Sequence, residues 1–126
     1  MLDVHAAAIE AAIHRCTIIT TYNLNTVRLS PNTGYIEGEI MSADGSRLQF
    51  FEYLRQTATS LDREKYRYHF MDFHNQLIFR YDNAPHHPDE AMFPHHKHLP
   101  RGVTHSSAPR FEEVLAEVET HVLGIP

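Results

Sequence analysis

Cysteine is nearly absent: Cys16 stands alone, so no internal disulfide can brace the chain, and the cross-linked framework of a small secreted domain is excluded. The opening residues MLDVHAAAIE lack the basic start and long apolar core of a secretion signal, and the expectation is a cytoplasmic protein. No run approaches the roughly 18 apolar residues of a membrane-spanning helix, so no membrane insertion is expected. Low-complexity tracts and internal repeats are missing too. A basic excess is also lacking: the formal net charge is −5 and the pI is near 6.1, which argues against steering of the whole molecule onto DNA or RNA. At 126 residues the chain has room for one core and not for separate cofactor and substrate domains, so a single domain over 1–126 is expected.

What is present reads as an ordinary globular protein, 42% hydrophobic and 10% aromatic. Alanine-rich DVHAAAIEAAIHR, with Asp3 at its start and Ile9, Ile13 and Cys16 on one stripe, predicts a helix over about 3–15. The β-branched run that follows predicts a strand over about 17–29, closed by the turn residues Ser30-Pro31-Asn32-Thr33-Gly34. Period-two runs on either side of Asp44-Gly45 predict a hairpin of strands about 34–42 and 47–55. With Asp44 and Gly45 as a two-residue loop, Glu37 would face Glu52, an unfavourable pair of like charges that a one-residue slip would dissolve. Polar residues 56–64 read as a loop or one helical turn. A second hairpin around His74-Asn75, with strands about 65–73 and 77–82, sets Phe70 opposite Phe79 and Tyr68 opposite Tyr81 on a core face. It sets His69 opposite Arg80 and Arg67 opposite Asp82 on a wet one. After a His-rich loop over 83–105, a helix over about 108–123 is expected, capped by Ser106 or Ser107 and stopped by Gly124. The fold class is therefore α+β: an antiparallel meander of about five strands with the N-terminal and C-terminal helices packed on one face.

The stretch DNAPHHPDEAMFPHHKHLP holds the candidate site, with five of the chain's eleven histidines and four of its seven prolines. Pro85, Pro88, Pro94 and Pro100 stiffen it. Leaving the strand of Arg80 and Asp82, it is expected to fold back over the charged sheet face toward Arg67, His69 and Glu52. As a metal site it would offer His86, Glu90, His96 and His98, with His87 and His95 as alternatives, although the spacing fits no zinc template and no cofactor is expected. As acid/base equipment it would pair imidazoles with Arg80 and Lys97: one His takes the 2′-hydroxyl proton of RNA, another protonates the leaving 5′-oxygen, and the cations hold the phosphorane charge. Glu52 is expected in an ion pair with Arg67 or Arg80. Tyr35 and Tyr53 are expected in the core, with base stacking as the alternative. His5, His14, His74, His105 and His121 are read as exposed helix or turn residues.

The strings GYIEGEIMSADGSRLQFFEYL, KYRYHF, LIFRYDNAPHHPDEAMFPHHKH and FEEVLAEV resemble the small bacterial and archaeal family named for the toxin TumE of the TumE/TumA toxin–antitoxin system, over roughly residues 34–122. The resemblance implies a toxin neutralised by direct binding of a helix-turn-helix antitoxin. It marks Glu52, Tyr68, Arg80, Asp82, Asn83, His86, His95, His96, Lys97 and His98. Two readings stay open. One is a metal-independent ribonuclease with His86 and His95 or His98 as proton-transfer pair, Arg80 and Lys97 on phosphate, Glu52 as a catalytic carboxylate, and Arg67, Tyr68, His69, Asp82, Asn83, His87 and His96 binding substrate. The other is a non-catalytic or metal-binding interaction protein whose His loop docks a partner. A homo-oligomer is compatible with either.

Overall fold

The computed structural model describes residues 1–85 and 94–125. An N-terminal helix α1 (Leu2–Arg15) leads into seven strands, β1 (Ile19–Ser30), β2 (Thr33–Ser42), β3 (Arg47–Gln56), β4 (Leu61–Met71), β5 (Leu77–Asp82), β6 (His96–Leu99) and β7 (Gly102–His105), and helix α2 (Phe111–Leu123) closes the chain. All neighbours pair antiparallel in the order β1 to β7, a meander in which each strand lies beside its successor. The expected α+β class and helix–sheet–helix order hold. Two further strands come from the second half of the segment read as a loop.

Period-two alternation decides what each strand buries. Ile36, Ile40, Leu48, Phe50, Tyr68, Phe70 and Phe79 point to one face, where they join Ile9 and Ile13 of α1 and Phe111, Val114 and Val118 of α2 in one core. Phe50 and Phe111 meet with ring centroids 5.0 Å apart. Gly38 lets the Phe50 ring lie close against β2, since a Cβ there would stand 2.9 Å from the ring and 2.6 Å from the Asn23 carbonyl oxygen. Both helices lie on this side. Among the described residues no helix lies on the opposite face of the sheet.

The first hairpin differs from expectation by one residue. Ser42 N–H donates to the Ser46 carbonyl at 2.9 Å, the Asp44 carboxylate accepts from Ser46 N–H at 2.9 Å, and Gly45 adopts a left-handed φ of 82°. Three residues, not two, turn the chain, as in hairpins that finish a tight turn with a left-handed glycine. Met41 therefore faces Arg47, Glu37 faces Phe51, and Ile36 faces Glu52, so the carboxylate pair never forms. In the second hairpin Asn75, at φ 64°, makes a similar turn, but a bulge between Phe70 and Met71 restores the register. His69 thus faces Arg80 and Arg67 faces Asp82, as the sequence predicts.

Residues 56–64 form neither a loop nor a helical turn throughout: the chain turns at 57–60 and β4 begins at Leu61. Helix α2 starts later than expected and is capped at Arg110 rather than at Ser106 or Ser107, because Pro109 holds Ala108 out of helical geometry. The Glu113 carboxylate accepts the Arg110 N–H at 3.0 Å. Gly124, left-handed at φ 67°, ends the helix where expected.

Candidate functional site

The register of β3 to β6 sorts the polar residues into rows across the uncovered face. One row reads Gln49, His69, Arg80, His98 and the next reads Phe51, Arg67, Asp82, His96. The predicted return of the imidazole segment is thus a strand pairing: β6 lies along β5 and places His96 and His98 beside Asp82 and Arg80. Asp82, only 5% exposed, organises this patch. Its Oδ2 accepts from Arg80 Nε at 3.1 Å and lies 3.1 Å from His98 Nε2, an ion-pair distance without hydrogen-bond alignment. Its Oδ1 accepts from Ala84 N–H at 3.2 Å and lies 4.0 Å from His96 Nδ1. Among the described residues the Nδ1 of His69, which is buried, has no hydrogen-bond partner. Burial, then the positive charges of Arg80, Arg67 and His98, lower the His69 pKa below the ordinary histidine value, so this imidazole is a neutral base at pH 7. Beside the rows lies a cavity of about 390 Å³ walled by Phe51, Lys65, Tyr66, Arg67, Arg80 and Asp82. Three cations, one aromatic face and neighbouring imidazoles make it suited to a phosphate-bearing ligand.

The helix-covered face holds the rest. Glu52 is wholly buried there, on the other side of the sheet from Arg67 and Arg80, so the expected ion pair with either does not form. The alternation of β3 sets its side chain on the same face as Leu48, Phe50 and Leu54. Its partners are His5 Nε2 at 2.7 Å, the Tyr68 hydroxyl and, at 3.9 Å, Arg63. Arg63 also donates to the Tyr68 hydroxyl at 2.6 Å and lies over the Tyr66 ring. Burial first, then the Glu52 charge, raise the Tyr68 pKa far above the ordinary phenol range. His5, read from sequence as an exposed helix residue, is therefore a partner of a buried carboxylate. The cluster forms one wall of a cavity of about 370 Å³ that Leu54, Phe111 and Arg110 complete.

Lys97, between His96 and His98 in sequence, points the opposite way. Its Nζ donates to Glu117 of α2 at 2.7 Å and sits 4.9 Å from the Tyr81 ring centre. Burial pulls the Lys97 pKa down, but hydrogen bonds to Glu117 and Tyr81 outweigh it and the net shift is upward. His95 stacks on Tyr66 with ring planes 10° apart, and its Nδ1 is 2.8 Å from the Tyr66 hydroxyl. Burial, then Arg63 and His96, lower its pKa, and burial pushes Tyr66 up to about 12. Asn83 clamps the strand end: its Oδ1 accepts from Tyr66 N–H at 3.0 Å and its Nδ2 donates to the Glu64 carbonyl at 2.9 Å.

The structure thus brings Arg67, His69, Arg80, Asp82, His96 and His98 together and sets Glu52, Tyr68 and Lys97 on the opposite face. His86, His87 and Glu90 lie outside the described residues, and with them half of the conjectured metal set. Among the described residues no three His, Cys, Asp or Glu side chains converge as metal ligands would. Phe51 was not singled out from sequence, whereas Arg63 and Lys65 stand in the run of second-half cations from which a basic face could be expected. The pairing of β3 with β4 places Phe51 beside Arg67. Tyr35 and Tyr53, expected in the core, are half-buried on the open face, where Tyr35 stacks on Phe51 at 5.5 Å.

A protein-family model described as Toxin TumE matches residues 9–123. No curated protein and no solved structure matches the chain significantly. No helix among the described residues is long and apolar enough to cross a membrane.

Proposed function

The chain belongs to the Toxin TumE family, which makes it a toxin with a cognate antitoxin, and from that premise we propose that it acts on RNA across the open face of its sheet, as a ribonuclease that needs no metal. The observation that carries the proposal is the row His69, Arg80, His98, in which two imidazoles flank one guanidinium on adjacent strands. The outer two backbones lie two strand spacings apart, roughly 10 Å, a span that two inward-leaning imidazoles and a phosphate between them fill. His69, neutral at pH 7, takes the proton of the 2′-hydroxyl as that oxygen attacks phosphorus. His98, which in its protonated form pairs with Asp82, gives a proton to the leaving 5′-oxygen. Arg80 and Arg67 meet the charge that develops on the non-bridging oxygens. Lys97 and Glu52, expected in these roles from sequence, act instead as braces of the fold, and His95 reaches the cavity only through Tyr66.

One observation favours the non-catalytic alternative: Asp82 already neutralises Arg80 and neighbours His98, as a knot that merely holds β5 to β6 would. The two readings part in one experiment. Purified protein is incubated with single-stranded RNA in EDTA. The expected result is cleavage to 2′,3′-cyclic phosphate ends, reduced about 100-fold or more in His69→Ala, His98→Ala and Arg80→Ala. Absence of cleavage both in EDTA and with divalent metals restored removes the catalytic reading and leaves docking.

A further inference from the structure

The other half of the open face carries chemistry that RNA cleavage leaves unused. Across β1, β2 and β3 the two rows continue as Asn23, Glu39, Gln49 and as Asn25, Glu37, Phe51. All of these side chains except Phe51 line a cavity of about 340 Å³, ample for one nucleobase, and Arg67 lines both this cavity and the cationic one beside it, whose wall Phe51 helps to form. A single strand with a phosphate on Arg67 therefore lays the adjoining base over β2 and β3. An aromatic platform is already there: Phe51 and Tyr35, both half-buried, stack with planes 29° apart.

The hydrogen-bonding groups in this cavity are unevenly divided. Asn25 Nδ2 donates to Glu37 Oε1 at 3.4 Å, and Gln49 Nε2 donates to Glu39 Oε2 at 2.8 Å. Each amide turns one of its two N–H groups onto a carboxylate, and, apart from the Arg67 guanidinium that meets the phosphate, the charged groups lining the cavity are the carboxylates of Glu37 and Glu39, which only accept. Such a surface selects a base edge made of donors. Guanine alone presents two adjacent donors, N1–H and the N2 amino group, on its pairing edge. Adenine and cytosine set a donor beside an acceptor, and uracil sets one N–H between two carbonyls. Glu37 is the carboxylate placed to read that edge. It is exposed, its amide contact is the longer of the two, and it stands directly opposite Phe51 in the register.

We propose that Asn25, Glu37, Glu39, Gln49 and Phe51 form a guanine-reading subsite, in which a base stacked on Phe51 donates N1–H and N2–H to the Glu37 carboxylate. This rests on the RNA-directed reading above and adds the base preference. The test uses 2′-O-methyl uridine pentamers, which cannot be cleaved, carrying guanine, hypoxanthine or adenine at the centre, with binding followed by fluorescence anisotropy in EDTA. Guanine is expected to bind about tenfold tighter than adenine, with hypoxanthine, which lacks the amino group, in between. Glu37→Gln is expected to bring guanine and adenine to within about twofold of each other, because glutamine offers a donor and an acceptor, the match for adenine. Glu39→Gln is expected to keep the guanine preference. Wild-type binding that ignores the central base overturns the subsite and leaves the RNA reading intact, whereas failure to bind any pentamer overturns both. A preference that survives Glu37→Gln overturns the subsite as well.

Discussion

At the scale of single residues, burial separates side chains that hold the fold from those that face a substrate. Glu52 has the look of a catalytic carboxylate in sequence, yet it is fully buried and has His5, Tyr68 and Arg63 as partners. Removing a buried charge from such a cluster strands the others, so Glu52→Ala is expected to lower unfolding free energy by about 3–5 kcal/mol in urea titrations. RNA cleavage per folded molecule should persist in the milder Glu52→Gln. Loss of cleavage at full stability would place the chemistry on the helix side. No sequence signal joined His5 to Glu52: the two are 47 residues apart and meet only because α1 covers β3. His69 and His95 titrate below the ordinary histidine value in the folded chain, principally because both are partly buried. Above about pH 6.5 both are neutral folded or unfolded and contribute nothing to pH dependence. Below it the unfolded chain binds protons first, so stability falls with acidification until the folded-state pKa values are passed. The urea midpoint should therefore drop between pH 7.5 and 5.5, and drop less in His69→Gln. An increase on acidification would contradict the assignment.

At the scale of elements, turn length governed what could be read ahead of the structure. Both hairpins turn on three residues with a left-handed third, and both were read as two-residue loops. The second still gives the expected pairs because the bulge at Phe70 and Met71 absorbs the extra residue, whereas the first slips by one and sets Ile36, not Glu37, opposite Glu52. The apolar pattern marks that difference, since the observed register sets Ile40 opposite Leu48 where a two-residue loop would set Glu39 opposite Phe50. Strands β6 and β7 escaped because four-residue strands of the type HKHL and GVTH show polar alternation without an apolar face. Their alternation was nonetheless informative, since His96 and His98 share the open face and Lys97 takes the other. Lys97 ties β6 to α2 through Glu117, which also accepts from the Tyr81 hydroxyl at 2.6 Å. Lys97→Met is accordingly expected to cost about 1 kcal/mol of stability, discounted for partial exposure, and to leave cleavage unchanged. A cleavage rate that falls without a change in unfolding midpoint would return Lys97 to the phosphate.

At the scale of the whole molecule, the total charge of −5 misdescribes the surface that matters. The meander sends both helices to one side and leaves the other as an open sheet, on which β4 to β6 carry Lys65, Arg67, Arg80 and the histidines while β1 to β3 carry amides and carboxylates. A sheet face with aromatic rings at its middle and cations at one end suits a single strand better than a duplex, whose bases are hidden. Composition cannot report such a division, because it appears only when the pairing register is known. The central claim is that RNA lies on this open face and not against the helices. Ultraviolet cross-linking of bound RNA, read by mass spectrometry of the attached peptides, tests it most directly. Cross-links at Tyr35, Phe51 and Tyr53 are expected, reduced in Arg80→Ala. Cross-links concentrated on α1 and α2 around the cavity of His5, Arg63 and Phe111 would contradict it.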